Sequence, residues 1–343
     1  MNTRIAVVGA GLVGTRHAQA VSTVEEVNLA AIVDPQQVGA TLARQYDVAY
    51  YSALSELLKR EKVDGVILAT PNQMHVSNAL ECIRAGVPAL VEKPLAVDLV
   101  GAEKIVAASE DYGVPILAGH HRRHNPLIAR ARRAIDEGCL GNITAVHGTT
   151  WFYKPDEYFD ADWRKRPGAG PVYINLIHDI DLLRYLCGDV IQVCAMQSNV
   201  VRGNDVEDTA VVMLKFGSGA LGTLSVSDCV AAPWSWELTA RENSVYPATS
   251  ETCYQIGGTD GSLALPNLAL WQHLGEKSWW EPISATRLTF GLDDPLVRQV
   301  KQFDAVIRGD QQPLVSARDG LENQRVIEAV KQSAATGETI KLH

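Results

Sequence analysis

One hexapeptide, Gly9-Ala10-Gly11-Leu12-Val13-Gly14, constrains this chain more than any other stretch. A β-branched run at residues 5–8 precedes it and an amphipathic segment at 11–22 follows, so the glycines fall where a strand turns into a helix. In such a turn the first glycine permits the tight reversal and the second lets the backbone approach a pyrophosphate. The third lets the helix pack closely on the strand. The helix start then offers unpaired amides and the positive end of its dipole to an anion. Asp34 closes the next apolar run, twenty residues past Gly14. A carboxylate there accepts hydrogen bonds from ribose hydroxyls and repels a 2′-phosphate. The expected cofactor is therefore NAD rather than NADP, held by Gly9, Gly11, Leu12, Val13, Gly14 and Asp34.

The pattern continues. Short apolar runs at 5–8, 29–33, 63–68, 88–91 and 115–118 alternate with amphipathic stretches at 11–22, 52–60, 74–84 and 98–112. Strands alternating with helices imply βαβ units and a doubly wound parallel sheet, covered on both faces, over residues 1–123. Ligands of such sheets bind at the carboxyl ends of the strands. Thr70, Pro71, Asn72 and His75 follow one such end. They read either as cofactor contacts or as a loop in which Thr70 or Asn72 caps a helix. Glu92-Lys93-Pro94 follows another. Glu92 and Lys93 are expected beside the cofactor, and the Lys93 ammonium is suited to bond a substrate oxygen and assist proton transfer.

Composition shifts near residue 150: all seven tryptophans and all five phenylalanines lie beyond Thr150. Alternating runs at 144–151, 191–200, 208–216, 220–228 and 236–239, with turns at 217–219 and 259–261, predict a mostly antiparallel sheet in a second α/β domain, 124–343. Helices are expected at 294–308 and 317–336. Trp234 and Trp236 are read as able to reach a cleft, where an indole face suits a sugar ring, while Trp279-Trp280 is read as packing. A glycine loop at 168–170 enters a segment read as an amphipathic helix. Asn175, His178 and Asp181 share one stripe of it, and His178 suits general acid–base work. In the histidine- and arginine-rich segment 119–126 the arginines argue against a metal, so no metal is expected and a junction carrying charges for cofactor or substrate is favoured.

Bulk properties bound the partners. A net charge of −9 from 31 basic and 40 acidic residues argues against nucleic acid and anionic membrane. No apolar run reaches the roughly 18 residues of a membrane span. The opening MNTRIAVVGAG enters a strand at once, and the six scattered cysteines form no C-x-x-C pair, which predicts a cytoplasmic chain with reduced thiols.

GAGLVG with Asp34, ATPNQMH, EKP, GHHRRHNP, Trp163-Arg164, IHDIDLLRYL, VEDTAVVMLKF and GTDGSL together resemble the Gfo/Idh/MocA family, that of glucose–fructose oxidoreductase and inositol dehydrogenase. The resemblance runs nearly end to end. It implies a Rossmann domain, a C-terminal α/β domain with a large open sheet, and homodimers or homotetramers built through that sheet. It also implies hydride transfer on sugars or cyclic polyols. Lys93 matches the family's EKP lysine, with a cis Lys93–Pro94 peptide expected, and His178 matches the catalytic histidine. His121, Arg122, Asn175, Trp163 and Arg164 match positions in or near the substrate pocket, to which the indole of Trp234 is added. Ile174 stands where many of the family's dehydrogenases carry aspartate, so a lysine–histidine pair is expected in place of a triad. Two other readings stay open: a dehydrogenase of non-sugar dihydrodiols, and a dinucleotide-binding regulator without turnover.

Overall fold

A computed structural model describes residues 2–342. The chain folds as two compact units, one from residues up to Asn125 with Asp293–Gln324, the other from Pro126–Leu292 with residues from Arg325 onward. The first unit contains β1 (Thr3–Val8), α1 (Leu12–Ser22), β2 (Val27–Val33), α2 (Gln37–Gln45), β3 (Ala49–Tyr51), α3 (Leu54–Arg60), β4 (Gly65–Leu68), α4 (His75–Arg84), β5 (Ala89–Val91), α5 (Leu99–Tyr112) and β6 (Ile116–Ala118). The strands pair in parallel in the order β3-β2-β1-β4-β5-β6. That order, reversing direction at β1, is the dinucleotide-binding one.

Period-two alternation in β1 builds both covered faces. Ala6 and Val8 join a buried cluster with Leu57, Ile83 and Ile105, while Ile5 and Val7 join another with Val21, Val300 and Phe303. Local signals set the helix ends. Asp98 caps α5 by accepting from Gly101 N at 2.7 Å, and Gly113 in the left-handed region (φ +66°) ends it.

The second unit contains α6 (Pro126–Asp136), β7 (Ile143–Trp151), α7 (Ile177–Cys187), β8 (Val190–Ser198), β9 (Thr209–Phe216), β10 (Leu221–Ser227), α8 (Trp236–Thr239) and β11 (Tyr254–Gly258). It continues with β12 (Ser262–Leu265), β13 (Ala269–Gln272) and β14 (Ser284–Arg287). Helix α9 (Pro295–Ile307) belongs to the first unit, whose core includes its Val300 and Phe303. Helix α10 (Ala317–Thr336) then leads to β15 (Ile340–Lys341). The nine strands run β14-β13-β12-β11-β7-β10-β9-β8-β15. The β7–β10 pair is parallel and the other pairings are antiparallel. Strand β9 buries Ala210, Val212, Leu214 and Phe216 against helices and leaves Val211 and Met213 exposed on the other face.

Several expectations need correction. Residues 236–239 form a helical turn, not a strand, because Ser235 Oγ accepts from Leu238 N at 3.3 Å and caps it. Trp236 is buried on Tyr254 and does not reach a cleft. Trp279 and Trp280 do not pack inward. They stand 89% and 83% exposed on the β13–β14 connection, covering each other edge to face. The segment from Val172 is not an amphipathic α-helix: Val172–Leu176 is π-helical, and nearly every residue of α7 is buried. Helix α2 and strand β3 were not anticipated, since β3 is a three-residue edge strand with no buried residue to mark it. Among the described residues no helix is long and apolar enough to cross a membrane.

Candidate functional site

The glycine turn is built as its spacing requires. Gly9 sits at φ +97°, and a Cβ there would lie 2.4 Å from Ala69 O. A Cβ on Gly14 would lie 1.8 Å from Gly9 O, so any side chain would push α1 off the turn. A Cβ on Gly11 would meet nothing within 4 Å: its side of the turn faces open space. Thr15 N donates to Gly11 O at 2.9 Å, and helix geometry leaves the amides before it without an intrahelical acceptor. Asp34 Oδ2 accepts from Ala10 N and Oδ1 from Gln36 N, each at 2.8 Å. Each oxygen keeps a further lone pair for a ribose hydroxyl.

Gly9, Gly11, Asp34 and Gln36 line a cleft of about 630 Å³, which also takes in Leu12, Val13, Thr70 and Pro71, while Gly14 lies outside its lining. Open space beside Gly11, orphan amides and a held carboxylate fit a dinucleotide. Val38, Ser52, Met74, Asn78 and Glu81 line the cleft as well and were missed, since no motif marks them. Asn72 is exposed in the 3₁₀ turn Asn72–Met74, and neither it nor Thr70 caps the following helix. Thr70 Oγ1 instead accepts from Asn78 Nδ2 at 3.3 Å. His75 is a correction. Its side chain is fully buried and turned away from the cleft, with Nδ1 2.8 Å from Pro94 O and Nε2 2.9 Å from Thr70 O. The imidazole ties two carboxyl-end turns together.

At the end of β5, Glu92 N donates to Leu68 O at 2.9 Å, and the Lys93–Pro94 peptide is cis. Glu92 Oε2 accepts from Lys93 N at 3.2 Å, while Oε1 lies 2.7 Å from Nε2 of His17, a fully buried residue of α1. Burial pushes the Glu92 carboxyl up, but the His17 hydrogen bond and the charges of His17, His121 and Lys93 outweigh it and hold it at about 2. Gly119 backs this carboxylate, since a Cβ there would fall 2.9 Å from Glu92 Cα. His17 escaped the sequence reading because a lone histidine in a helix is usually a core residue. In segment 119–126, His121 is half-buried and Arg122 buried, and Arg123 pairs with Asp319 at 3.2 Å.

In the second unit, the π-helical turn and α7 carry Asn175 and His178, each 7% exposed. Glu207 holds the start of this segment, accepting from Val172 N at 3.0 Å and pairing with Lys331 at 2.6 Å. Gly170 (φ +88°) makes room for that carboxylate, because a Cβ would lie 2.5 Å from its Oε1. Asp179, fully buried beside His178, accepts from Thr150 Oγ1 at 2.6 Å and from the Tyr254 hydroxyl. These bonds hold α7 against the sheet. Asn175 Nδ2 donates to Glu237 Oε1 at 3.3 Å. Arg164 is committed to its own loop, donating to Tyr158 O at 2.6 Å and lying 4.1 Å from the Tyr158 ring centroid, while Trp163 is exposed. Trp234 is 40% exposed and packs edge-on against Trp151. The six cysteines are free, and burial pushes the Cys82 and Cys187 thiols up to about 12.

Comparison with known proteins adds two domain matches. Residues 3–120 match the oxidoreductase family's NAD-binding Rossmann fold, and residues 128–264 match the GFO/IDH/MocA C-terminal domain. The chain belongs to the Gfo/Idh/MocA oxidoreductase family. It is 31% identical over 227 residues to 4-carboxy-2-hydroxymuconate-6-semialdehyde dehydrogenase of a Sphingobium species, covering 65% of this chain and 71% of the relative. It is 28% identical to D-apiose dehydrogenase of Paraburkholderia graminis, over 98% of this chain and 89% of the relative. Among solved structures, the WlbA dehydrogenase of Bordetella pertussis, in complex with NADH and UDP-GlcNAcA, superposes with a TM-score of 0.80 at 24% identity, over 100% of this chain and 99% of that one. The first unit of this Gfo/Idh/MocA protein thus gathers Gly9, Gly11, Asp34, Thr70 and Pro71 at one cleft, with Glu92 and Lys93 after the neighbouring strand β5. Its second unit sets Asn175 and His178 on one helical segment.

Proposed function

We propose that this protein is an NAD(H)-dependent dehydrogenase acting on a CH–OH carbon of a sugar, sugar derivative or cyclic polyol. The observation that carries the reading is its 28% identity to D-apiose dehydrogenase over 98% of its length, and the resemblance read from the sequence gives Lys93 and His178 the catalytic places. NAD, when bound, supplies the hydride acceptor. The helix amides at Leu12 and Val13 hold its pyrophosphate, and Asp34 holds its ribose and disfavours a 2′-phosphate. Lys93 donates a hydrogen bond to the reacting oxygen. His178 takes the hydroxyl proton as the C–O bond becomes a carbonyl and returns it in the reverse direction. His121, Arg122, Asn175, Trp163, Arg164 and Trp234 are the substrate-side residues of this reading. Its location is cytoplasmic. Its assembly is a homodimer or homotetramer through the open face of the nine-stranded sheet, where Val211, Met213 and Leu221 stand exposed.

The test is NADH fluorescence during a screen of aldoses, polyols and lactones. Turnover on one of them, lowered about 10²–10⁴-fold by Lys93→Ala or His178→Ala with NADH affinity kept, is the expected outcome. Tight NAD binding with no turnover on any substrate sinks the reading in favour of a regulator. A second reading, a non-sugar substrate, draws on the 31% identity to the semialdehyde dehydrogenase. Turnover of cyclic dihydrodiols or semialdehydes, with the sugars inert, would select it.

A further inference from the structure

A cavity of about 390 Å³ lies in the second unit, walled by Tyr153, Asp156, Lys165, Arg202, Asn204 and Cys229 among others. It shares no residue with the NAD cleft or with the substrate-side residues named above. Arg202 fixes one side. Its side chain is 10% exposed, with Nε donating to Asp228 Oδ1 at 2.7 Å and Nη2 to Lys154 O at 2.7 Å and to Asp228 O. Its Cζ stands 4.3 Å from the Phe159 ring centroid. A guanidinium has five N–H donors, so Nη1 keeps two, and their acceptor among the described residues is Asp156 Oδ1 at 3.4 Å. The Asp156 side chain is 90% exposed, and an exposed pair of that length holds its carboxylate weakly. Lys165 Nζ, the Asn204 side-chain amide and the Tyr153 hydroxyl have no hydrogen-bond or ion-pair partner among the described residues. Behind the wall, Asp228 and Asp208 equal Lys154 and Arg202 in charge, and Asp208 Oδ2 accepts from Val201 N and Arg202 N at 2.9 and 3.0 Å. With Asp156 turned to solvent, Lys165 is the charge left over.

A wall with several donors and one weakly held acceptor selects a guest rich in acceptors. We propose that this cavity is a second ligand site, which takes a small oxyanion (the carboxylate or phosphate group of a metabolite) between Arg202 Nη1 and Lys165 Nζ. The Asn204 amide and the Tyr153 hydroxyl complete the donor set, and the guest displaces Asp156 toward water. Arg202 offers only its Nη1 edge here, because Nε and Nη2 are committed to Asp228 and Lys154, so a second oxygen of the guest goes to Lys165. The volume is at the small end of ligand pockets, about 300–1,000 Å³, which suits a metabolite of a few carbons. A bound guest ties Lys165, in the turn Asp162–Lys165, to the connection between β8 and β9 that carries Arg202 and Asn204. Occupancy needs no CH–OH substrate, so the site stands or falls apart from the dehydrogenase reading.

The test uses the full-length, NAD-loaded protein with pyruvate, inorganic phosphate and glycerol as probes. Cys229, a free and half-buried thiol in the wall, supplies the readout. Its alkylation by iodoacetamide is followed by peptide mass spectrometry, with the half-buried Cys139 as internal reference. Pyruvate or phosphate is expected to slow alkylation of Cys229 saturably, with Cys139 unchanged and glycerol without effect. Protection by pyruvate alone assigns a carboxylate guest, and protection by phosphate alone a phosphoryl one. Lys165→Gln should raise the half-saturating concentration about tenfold at an unchanged melting temperature, the loss of one charged hydrogen bond. Asn204→Ala, the second variant, should raise it by a smaller factor. Equal protection by glycerol, no protection by either anion, or protection that both variants leave unchanged overturns the site, whatever the outcome of the substrate screen.

Discussion

His17 Nε2 lies 2.7 Å from Glu92 Oε1, joining the helix that follows the glycine turn to the turn that carries Lys93. Both side chains are largely withdrawn from water, and the same carboxylate accepts from Lys93 N through its other oxygen. The helix whose start is suited to a pyrophosphate and the strand end bearing the proposed catalytic cation are therefore held by one bond.

Breaking that bond should separate function from folding. His17→Ala leaves a buried carboxylate short of one donor, which costs about 1–3 kcal/mol. We expect a lower melting temperature and a kcat reduced more than the NADH dissociation constant changes, because Lys93 loses its fixed support. Unchanged kcat in a destabilised His17→Ala protein would show the pair to be structural only.

The Glu92 carboxyl, held at about 2 against an ordinary value of 4.5, makes stability depend on pH in a defined window. A depressed carboxyl contributes its stabilisation fully above the unfolded value and loses it as pH falls toward the folded one. Stability from Glu92, on the order of 3 kcal/mol, should be intact from neutral pH down to about 5 and decline between about 4.5 and 2. Urea unfolding of wild type and Glu92→Gln across pH 7 to 3 checks this: the gap between them should narrow only in acid.

Two alanine substitutions in the glycine turn should part company. Gly14→Ala drives a methyl into Gly9 O and should cost several kcal/mol or block soluble expression. Gly11→Ala meets nothing in the protein, so stability should stay within about 1 kcal/mol. Its methyl stands where a pyrophosphate must approach, and NADH affinity by fluorescence titration should fall at least about tenfold. Equal affinity in Gly11→Ala and wild type would move the cofactor away from this turn.

Asp34→Asn keeps the size of the side chain and removes the charge. The ratio of kcat/KM for NADP over NAD should rise about tenfold or more, the equivalent of roughly 1.4 kcal/mol of relieved repulsion. Unaltered kinetics with both cofactors would remove Asp34 from the ribose.

The open face of the nine-stranded sheet offers a test of assembly. Met213→Lys, at a 58% exposed position, should leave the monomer's fold intact and shift light-scattering mass toward the monomer. A mass unchanged from wild type would place the interface elsewhere.

Much of this was legible locally. The run 5–8, the glycine spacing, Asp34 and the apolar run before Glu92 each depend on neighbours within a few turns of chain. Their structure follows from backbone sterics and periodicity, so β1, α1, β2 and β5 could be read in order. So could the β9–β10 hairpin, from its alternation around residues 217–219. What failed did so where long-range packing overrode local pattern. Helix α7 reads as amphipathic, but Asp179 and Asp181 are buried there, and Thr150 and Tyr254, from distant strands, hydrogen-bond Asp179. Trp236 reads as a strand residue because nothing local shows that Ser235 will cap a turn.

The sequence alone determined which groups stand where along the chain: a glycine turn after β1, a carboxylate after β2, a lysine after β5 and a histidine on a helical segment. Only the tertiary structure decided which partners those groups have. It turned His75 into the fold, set His17 on Glu92, and turned the Asn175 amide toward Glu237, sixty-two residues along the chain. A hydrogen bond between residues so far apart is fixed by the closure of the whole chain, and no local periodicity records it.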